Sequence, residues 1–288
     1  MTRTIAMLAV CAMAAACGGA DETSPAGSTP AASASASVDQ MPAIDQNAIM
    51  ERIKVLASDE FEGRAPGTKG DELTVNYLVE ASKELGLQPG NPDGTYVQNV
   101  PLVGITGAEA RPLTITKNGQ KQTFEWADEV VAWTKRVTDQ VSIDNSEMVF
   151  VGYGVTAPEY GWDDFKGLDV KGKTLVVLVN DPQVPDASDP SKLDAEMFNG
   201  QAMTYYGRWT YKYEEGARRG AAGIFVIHET GPAGYPFSVV QGSLREQFDL
   251  VTPHKNMGRA AIEGWITTDT ARRILKMGGQ DFDALKKQ

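Results

Sequence analysis

The sequence predicts an α/β fold, and three observations carry that reading. Two stretches near the start show helical apolar spacing with capping residues at their ends. Two continuous apolar runs, Leu175–Val179 and Ile224–Ile227, suit strands buried on both faces. A helical segment stands between those runs, the order expected of a parallel-sheet unit.

Taken in chain order, Met1 to Cys17 carries Arg3 as its only charge, then an apolar run from Ile5 to Met13, then Ala14, Ala15 and Ala16. This is the pattern of a secretory signal over residues 1–17. Small residues ahead of a cysteine, with Gly18 and Gly19 behind it, resemble the bacterial lipoprotein signal. That resemblance implies lipidation of Cys17 as the first residue of the mature chain, although Ala14 stands where leucine is usual. An ordinary signal peptide cut nearby is the alternative. The apolar stretch is shorter than the roughly 20 residues of a membrane-crossing helix. The expected location is the bacterial cell envelope, held by a lipid anchor in the membrane, or the medium if Cys17 is not lipidated.

Of the two cysteines, Cys11 leaves with the signal and Cys17 would carry lipid, so the folded body has no thiol. A disulfide, a thiol nucleophile and a CxxC zinc knuckle are thereby excluded from it. The net charge is −11, and one unit more negative once Arg3 is removed. An acidic body argues against nucleic acid or anionic lipid as a partner.

Residues 18–44 read as a disordered Ser/Ala/Pro linker, too poor in large apolar side chains to offset the entropy of ordering. Folding is expected from Asp45, which can cap a helix carrying Ile49, Ile53 and Leu56 as a core-facing stripe. Thr68 and Asp71 have capping-box spacing ahead of Leu73, Tyr77, Leu78, Ala81 and Leu85, with Gly86 at the C-cap position. The stretch from Gly90 to Val103 supplies turn residues and then a short strand. Around Leu113 and Ile115 the apolar residues alternate toward Asn118-Gly119, a dipeptide favoured in tight hairpins. Two further domains are expected, at 45–140 and 141–288.

The segment LASDEFEGRAPGTKGDELTVNYLVEASKELGLQPGNPDGTYVQNVPL resembles the opening of the two-zinc aminopeptidase family of clan MH. Shared features are a helix ending L-A-S-D-E-x-x-G-R, then P-G-T-x-G, a second helix, G-L-x-P and Y-x-Q-x-V-P-L. The resemblance implies that residues 45–140 are the N-terminal helices and strands of an incomplete zinc-exopeptidase domain. In that family the segment is scaffold, so Arg64 and Gly67 inherit no catalytic role. V-F-V-G-Y-G, D-V-K-G-K-T-L-V-V, A-x-x-x-G-A-A-G-I-F-V and the closing AIEGWITTDTARRILKMGGQDFDALKKQ resemble a protease-associated α+β domain, an insert in many secreted peptidases of the family. Thr268 is the expected cap of its last helix.

Several local patterns invite other chemistry. Gly63, Gly67, Lys69 and Gly70 suggest a phosphate loop, but the spacing is short, Gly70 replaces the metal-binding hydroxyl, and a helix precedes it. Asp59, Glu60 and Glu62 beside glycines suit a solvated loop. Gly152, Gly154 and Ala157 form a G-x-G-x-x-A, but Pro158 follows and no apolar helix begins there to receive a diphosphate. His228, Glu229 and Asp181 could be imagined as metal ligands at strand ends. The favoured reading is a hydrogen-bonded structural histidine, because a zinc site needs three or four convergent ligands and H-E-x-x-H is absent. Ser243 lacks the G-x-S-x-G elbow. Tyr205, Tyr206, Trp209, Tyr211 and Tyr213 are the best candidate contact surface, although such clusters are more often core or cleft wall.

In the resembled family, two zinc ions about 3.5 to 4 Å apart polarise the carbonyl and activate a bridging water, while a carboxylate takes its proton. The ligands come from an H-x-D motif, a Glu-Glu pair, a further acid and a final histidine, all after the inserted domain. Here the two histidines are His228, followed by Glu229 and Thr230, and His254, followed by Lys255 and Asn256. Neither begins an H-x-D. No catalytic or metal-binding residue is therefore assigned, no zinc is expected on this chain, and the ligand segment is expected after Gln288.

Two functions follow. The first is the N-terminal part of an exported zinc aminopeptidase, which cleaves N-terminal peptide bonds of peptide or protein substrates when intact and is inactive as this chain alone. The second is a non-catalytic lipoprotein that binds peptides or a partner through its protease-associated domain.

Overall fold

The computed structural model describes residues 43–107 and 110–287; the signal segment with Cys17, and all but the end of the expected linker, lie outside the described residues. The chain divides into two compact units, up to Val97 and from Gln98 onward. Among the described residues no helix is long and apolar enough to cross a membrane.

In the first unit, Asp45 accepts from the amides of Asn47 and Ala48 at 2.9 and 3.2 Å and opens α1, Gln46–Leu56. After a short 3-10 turn at Asp59–Phe61 comes α2, Lys69–Glu84, capped by Thr68. Asp71 turns its carboxylate to the amide of Gly67 at 3.0 Å, one residue before the cap, so the box closes one residue earlier than its spacing predicts. Gly86 has φ +71° where the chain leaves the helix. Phe61 is buried and meets the edge of Tyr77 at 6.4 Å. The stripe expected to face a core behaves differently: α1 buries none of its residues, and Ile49 and Ile53 are about half exposed.

The second unit contains β1, Leu102–Ile105; β2, Leu113–Lys117; β3, Gln120–Phe124; β4, Val130–Trp133; β5, Met148–Phe150; β6, Thr156–Ala157; β7, Trp162–Asp163; and β8, Thr174–Leu178. There follow α3, Trp209–Arg218; β9, Gly223–His228; α4, Thr230–Ala233; α5, Phe237–Gln241; β10, Gln247–Leu250; β11, Ile262–Thr267; α6, Thr268–Met277; and α7, Phe282–Leu285. Five strands form a mixed sheet in the order β4-β11-β9-β8-β5, parallel except for β4 at the edge.

Both expected apolar runs lie in this sheet, and every residue of β8 and β9 is buried. Period-two alternation sorts their side chains to opposite faces. Leu175, Val177, Ile224, Val226 and Trp265 join Tyr213 of α3 and Val240 of α5. Val176, Leu178, Phe225, Ile227 and Ile266 join Ile274 and Leu275 of α6, Phe282 of α7 and Phe124 of β3. Helices on both faces of a mostly parallel sheet satisfy its continuous apolar strands, each fully buried Val, Leu, Ile or Phe contributing about 1.5–3 kcal/mol. Asn118 and Gly119 take φ +50° and +80° between β2 and β3, the pair of positive angles a tight hairpin requires.

Long-range pairing places the unit boundary upstream of the expected division after residue 140. β1 pairs with β10, Leu102 opposite Leu250, and β4 pairs with β11, Val130 opposite Ile266. The last helix begins one residue differently too: Thr267, at φ −68° and ψ 159°, is the cap of α6, and its hydroxyl accepts from the Thr270 amide at 3.2 Å. Thr268 is the first helical residue.

Candidate functional site

The carboxyl ends of β9 and β11 lie side by side, with Thr267 opposite His228. Strand register thus puts the two residues on one face, and α6 starts where β11 stops. Thr268 donates its hydroxyl to the His228 carbonyl at 2.7 Å, tying the helix start to the neighbouring strand end. Above this junction is a cavity of about 690 Å³ whose wall includes Glu129, His228, Phe237, Thr268, Arg272 and Arg273.

His228 is 4% exposed, and its Nε2 has no hydrogen-bond partner. Its ring stands 5.4, 5.7 and 5.8 Å from those of Phe237, Tyr235 and Trp265. Burial holds its pKa below the ordinary 6.5, so the neutral imidazole is favoured. An unsatisfied buried polar atom costs about 1–3 kcal/mol, which a partner at Nε2 would relieve. Trp133 Nε1 is likewise buried and unpartnered. Arg273 pairs with Glu129 and lies over the Phe124 ring at 4.6 Å, while Arg272 meets Asp283 at 2.9 Å.

A second polar cluster stands at the carboxyl end of β8. Lys212, on α3, is buried and donates from Nζ to the Asn180 carbonyl at 3.0 Å. Burial, opposed by Asp181 and Asp164, brings its pKa down to about 7. Asp181 is also buried and accepts from the Thr204 amide and hydroxyl at 2.7 and 2.6 Å. Asp164 accepts from the Val155 amide and Trp162 Nε1, both at 2.9 Å, and burial raises its pKa. Tyr153, over whose ring Lys212 Nζ lies at 5.9 Å, is pushed up to about 12 by burial.

The carboxylates that suggested a metal have other partners. Asp181 is held by Thr204, and Glu229 is held by Lys286 at 2.5 Å. Among the described residues no group of three or more His, Cys, Asp and Glu side chains could hold a metal ion. His254 lies in the turn before β11, with its carbonyl accepting from the Met257 amide at 3.0 Å. Ser243 is in a 3-10 turn, and its carbonyl accepts from Gln247 at 2.8 Å. Pro158 opens a 3-10 turn of three residues, and a Cβ on Gly154 would stand 2.9 Å from Val177 Cγ1, so that glycine packs the loop on β8. Gly70 packs against the Phe61 carbonyl.

The tyrosine cluster divides between core and surface. Tyr211 and Tyr213 are buried, and Tyr213 donates to the Gly264 carbonyl at 2.8 Å. Tyr205 is 57% exposed and donates to Glu214 at 2.8 Å, while Tyr206 donates to Glu159 at 2.7 Å. Sequence reasoning passed over Lys212, Glu129, Arg272 and Arg273. The signal for Lys212 was its place between Tyr211 and Tyr213; the others come together only through long-range pairing.

No family model matches the chain, and no curated protein matches it. Among solved structures, an aminopeptidase from Aneurinibacillus sp. strain AM-1 is similar over 82% of this chain and 42% of its own, at 17% identity and a TM-score of 0.38. This chain thus spans less than half of that protein's length.

Proposed function

We propose that the chain is a scaffold and ligand-holding part of an exported zinc aminopeptidase-type metallopeptidase, with the hydrolytic centre formed by residues other than those described. The observation that carries this reading is the structural use of the family-like segment Ser58–Glu72. Arg64 donates to the Leu56 carbonyl, Phe61 packs on Tyr77, Gly70 packs on Phe61, and Thr68 caps α2. Arg64, Thr68 and Gly70, three of the residues that carry the resemblance, thus have packing or capping tasks that suit a scaffold. The exposed Ile49 and Ile53 of α1 and Leu78 of α2 suit a surface that a further sheet would cover.

In this reading residues 141–288 are a protease-associated insert, and the whole is exported and held at the envelope through Cys17. Peptides or proteins are the substrates of the intact enzyme. The codons after Gln288 provide one test: an H-x-D followed by a Glu-Glu pair is expected. Metal analysis of the purified chain, with a leucyl arylamide as substrate, provides the other. Stoichiometric zinc together with leucine release would sink the assignment of this chain as non-hydrolytic.

The second reading, a peptide- or partner-binding lipoprotein without chemistry, is favoured by the cavity beside His228. It predicts unrelated sequence or a stop codon after Gln288.

A further inference from the structure

His228 closes β9, and three aromatic rings enclose its imidazole. Trp265, from β11, belongs to the sheet. Tyr235 and Phe237 belong to residues 230–241, the segment that carries α4 and α5. The buried Nε2 has no hydrogen-bond partner, a state that a neutral imidazole tolerates with that nitrogen as the unprotonated one. Protonation turns the same nitrogen into a charged donor without an acceptor, inside an apolar box.

The segment that completes the box is lightly held. α4 and α5 have four and five residues, and Val240 is the one buried residue in either. Among the described residues, two side-chain hydrogen bonds tie 230–241 to the rest of the second unit. Asn180 Nδ2 donates to the Pro232 carbonyl at 3.2 Å, and Gln241 Nε2 donates to the Ala127 carbonyl at 3.0 Å. β9, by contrast, is paired along its length with β8 and β11. Opening such a segment costs far less than opening the sheet.

We propose that residues 230–241 are an acid-released latch: protonation of His228 drives Tyr235 and Phe237 off the imidazole and uncovers Trp265 at the carboxyl end of the sheet. The charged groups around the box leave Nε2 without an acceptor. Glu229, next in the chain, is taken by Lys286 of α7. Asp128 and Glu129 before β4, and Asp269, Arg272 and Arg273 of α6, line the neighbouring cavity, where Glu129 pairs with Arg273 and Arg272 with Asp283. At the end of β8, Asp181 is held by Thr204 and Lys212 by the Asn180 carbonyl. β11 contributes Trp265, and the latch itself contributes Tyr235, whose pKa burial raises, so it stays neutral. Burial lowers the pKa of His228 while the latch is closed, whereas an open latch returns it to about 6.5. Below that pH the open form gains by up to about tenfold per pH unit. The latch rests on the second unit alone and does not depend on the metallopeptidase reading.

Hydrogen exchange of the full chain between pH 7.5 and 5.5, expressed as protection relative to the intrinsic rate at each pH, provides the test. The Ala233, Gly234 and Val239 amides, which bond within the latch, report its opening, and the amides of β8 and β9 report the sheet. Latch protection is expected to fall severalfold across this range, with a limit of about tenfold, while the sheet keeps its protection. His228→Phe retains an aromatic ring but takes no proton, so its latch protection should not vary with pH. His254→Gln removes the other histidine, which is exposed, and should behave as wild type. NMR titration of the wild-type His228 ring keeps the test open should His228→Phe fail to fold: the ring should titrate together with shifts at Tyr235 and Phe237. The proposal is overturned if latch protection does not change with pH, or if the sheet loses protection in step with it. It is equally overturned if a folded His228→Phe variant keeps the pH dependence, if His254→Gln abolishes it, or if His228 titrates with Tyr235 and Phe237 unmoved.

Discussion

Lys212 reaches from α3 to the carbonyl of Asn180 at 3.0 Å and is buried there, with Asp181 and Asp164 as its charged neighbours. Its pKa in the folded chain, about 7, lies below the ordinary 10.5. Between those values the unfolded chain carries a proton that the folded chain does not, so this lysine makes stability rise with pH across that window. The slope for one group is at most about 1.4 kcal/mol per pH unit. Urea unfolding of wild type and Lys212→Met from pH 7 to 10 should show that rise in wild type and lose it in the variant. Equal slopes would mean that Lys212 does not titrate in this range.

His228 gives the corresponding effect on the acid side. Burial lowers its pKa, so the folded chain resists a proton that the unfolded chain accepts below about pH 6.5. Stability is lost as pH falls through that value, and His228→Phe should remove this part of the loss. Comparing unfolding midpoints at pH 7 and pH 5 in the two proteins checks it. A variant with the full wild-type acid sensitivity would assign the effect to other groups.

The features legible in sequence are those fixed within one turn or one strand. Asp45 and Thr68 as caps, the positive angles of Asn118 and Gly119, and the burial of Leu175 and Ile224 all follow from neighbours a few residues away. Pairings across the chain were not legible, because β4 as an antiparallel edge on β11 depends on residues about 130 positions apart. The candidate site suffers most from this. His228 was visible as a strand-end residue, but Glu129 and Arg273 meet beside it only after the sheet and α6 are in place. Lys212 was hidden for another reason: charge patterning assigns a lysine to water, and only the Asn180 carbonyl explains its position inside.

Glu263 is fully buried in β11 and is held by both forks of Arg259, each at 2.8 Å. Arg259→Ala would leave that carboxylate buried without a partner, with an expected loss of about 3–5 kcal/mol. Replacing both residues by apolar side chains of similar volume should restore most of it. Chemical denaturation of the single and double variants measures the difference. A single variant as stable as wild type would mean that water reaches Glu263.

Export with lipidation predicts that Cys17→Ser abolishes incorporation of labelled fatty acid and moves the chain from the membrane fraction to the soluble one. Metabolic labelling and fractionation of cells expressing the full chain provide the measurement. Unchanged labelling would exclude Cys17 as the acylated residue. Loss of label with the chain still in the membrane fraction would place its attachment elsewhere.

Gly70 lies in the first turn of α2 against the backbone of Phe61, where an added Cβ would overlap the Phe61 carbonyl oxygen. Two effects of Gly70→Ala therefore oppose each other. Alanine raises helix propensity by about 1 kcal/mol, whereas forcing atoms into a packed contact costs about 1–3 kcal/mol. The contact is with backbone, and the same carbonyl accepts from the Arg64 amide at 2.9 Å, so it cannot swing aside without losing that bond. Steric cost should win, and the amides of α2 should exchange with solvent several-fold faster than in wild type. Gly90→Ala is the control, since nothing lies within 4 Å of the added Cβ and the backbone angle is unremarkable for an L-residue. Hydrogen exchange that changes equally in both variants would show that the Phe61 carbonyl does not fix α2.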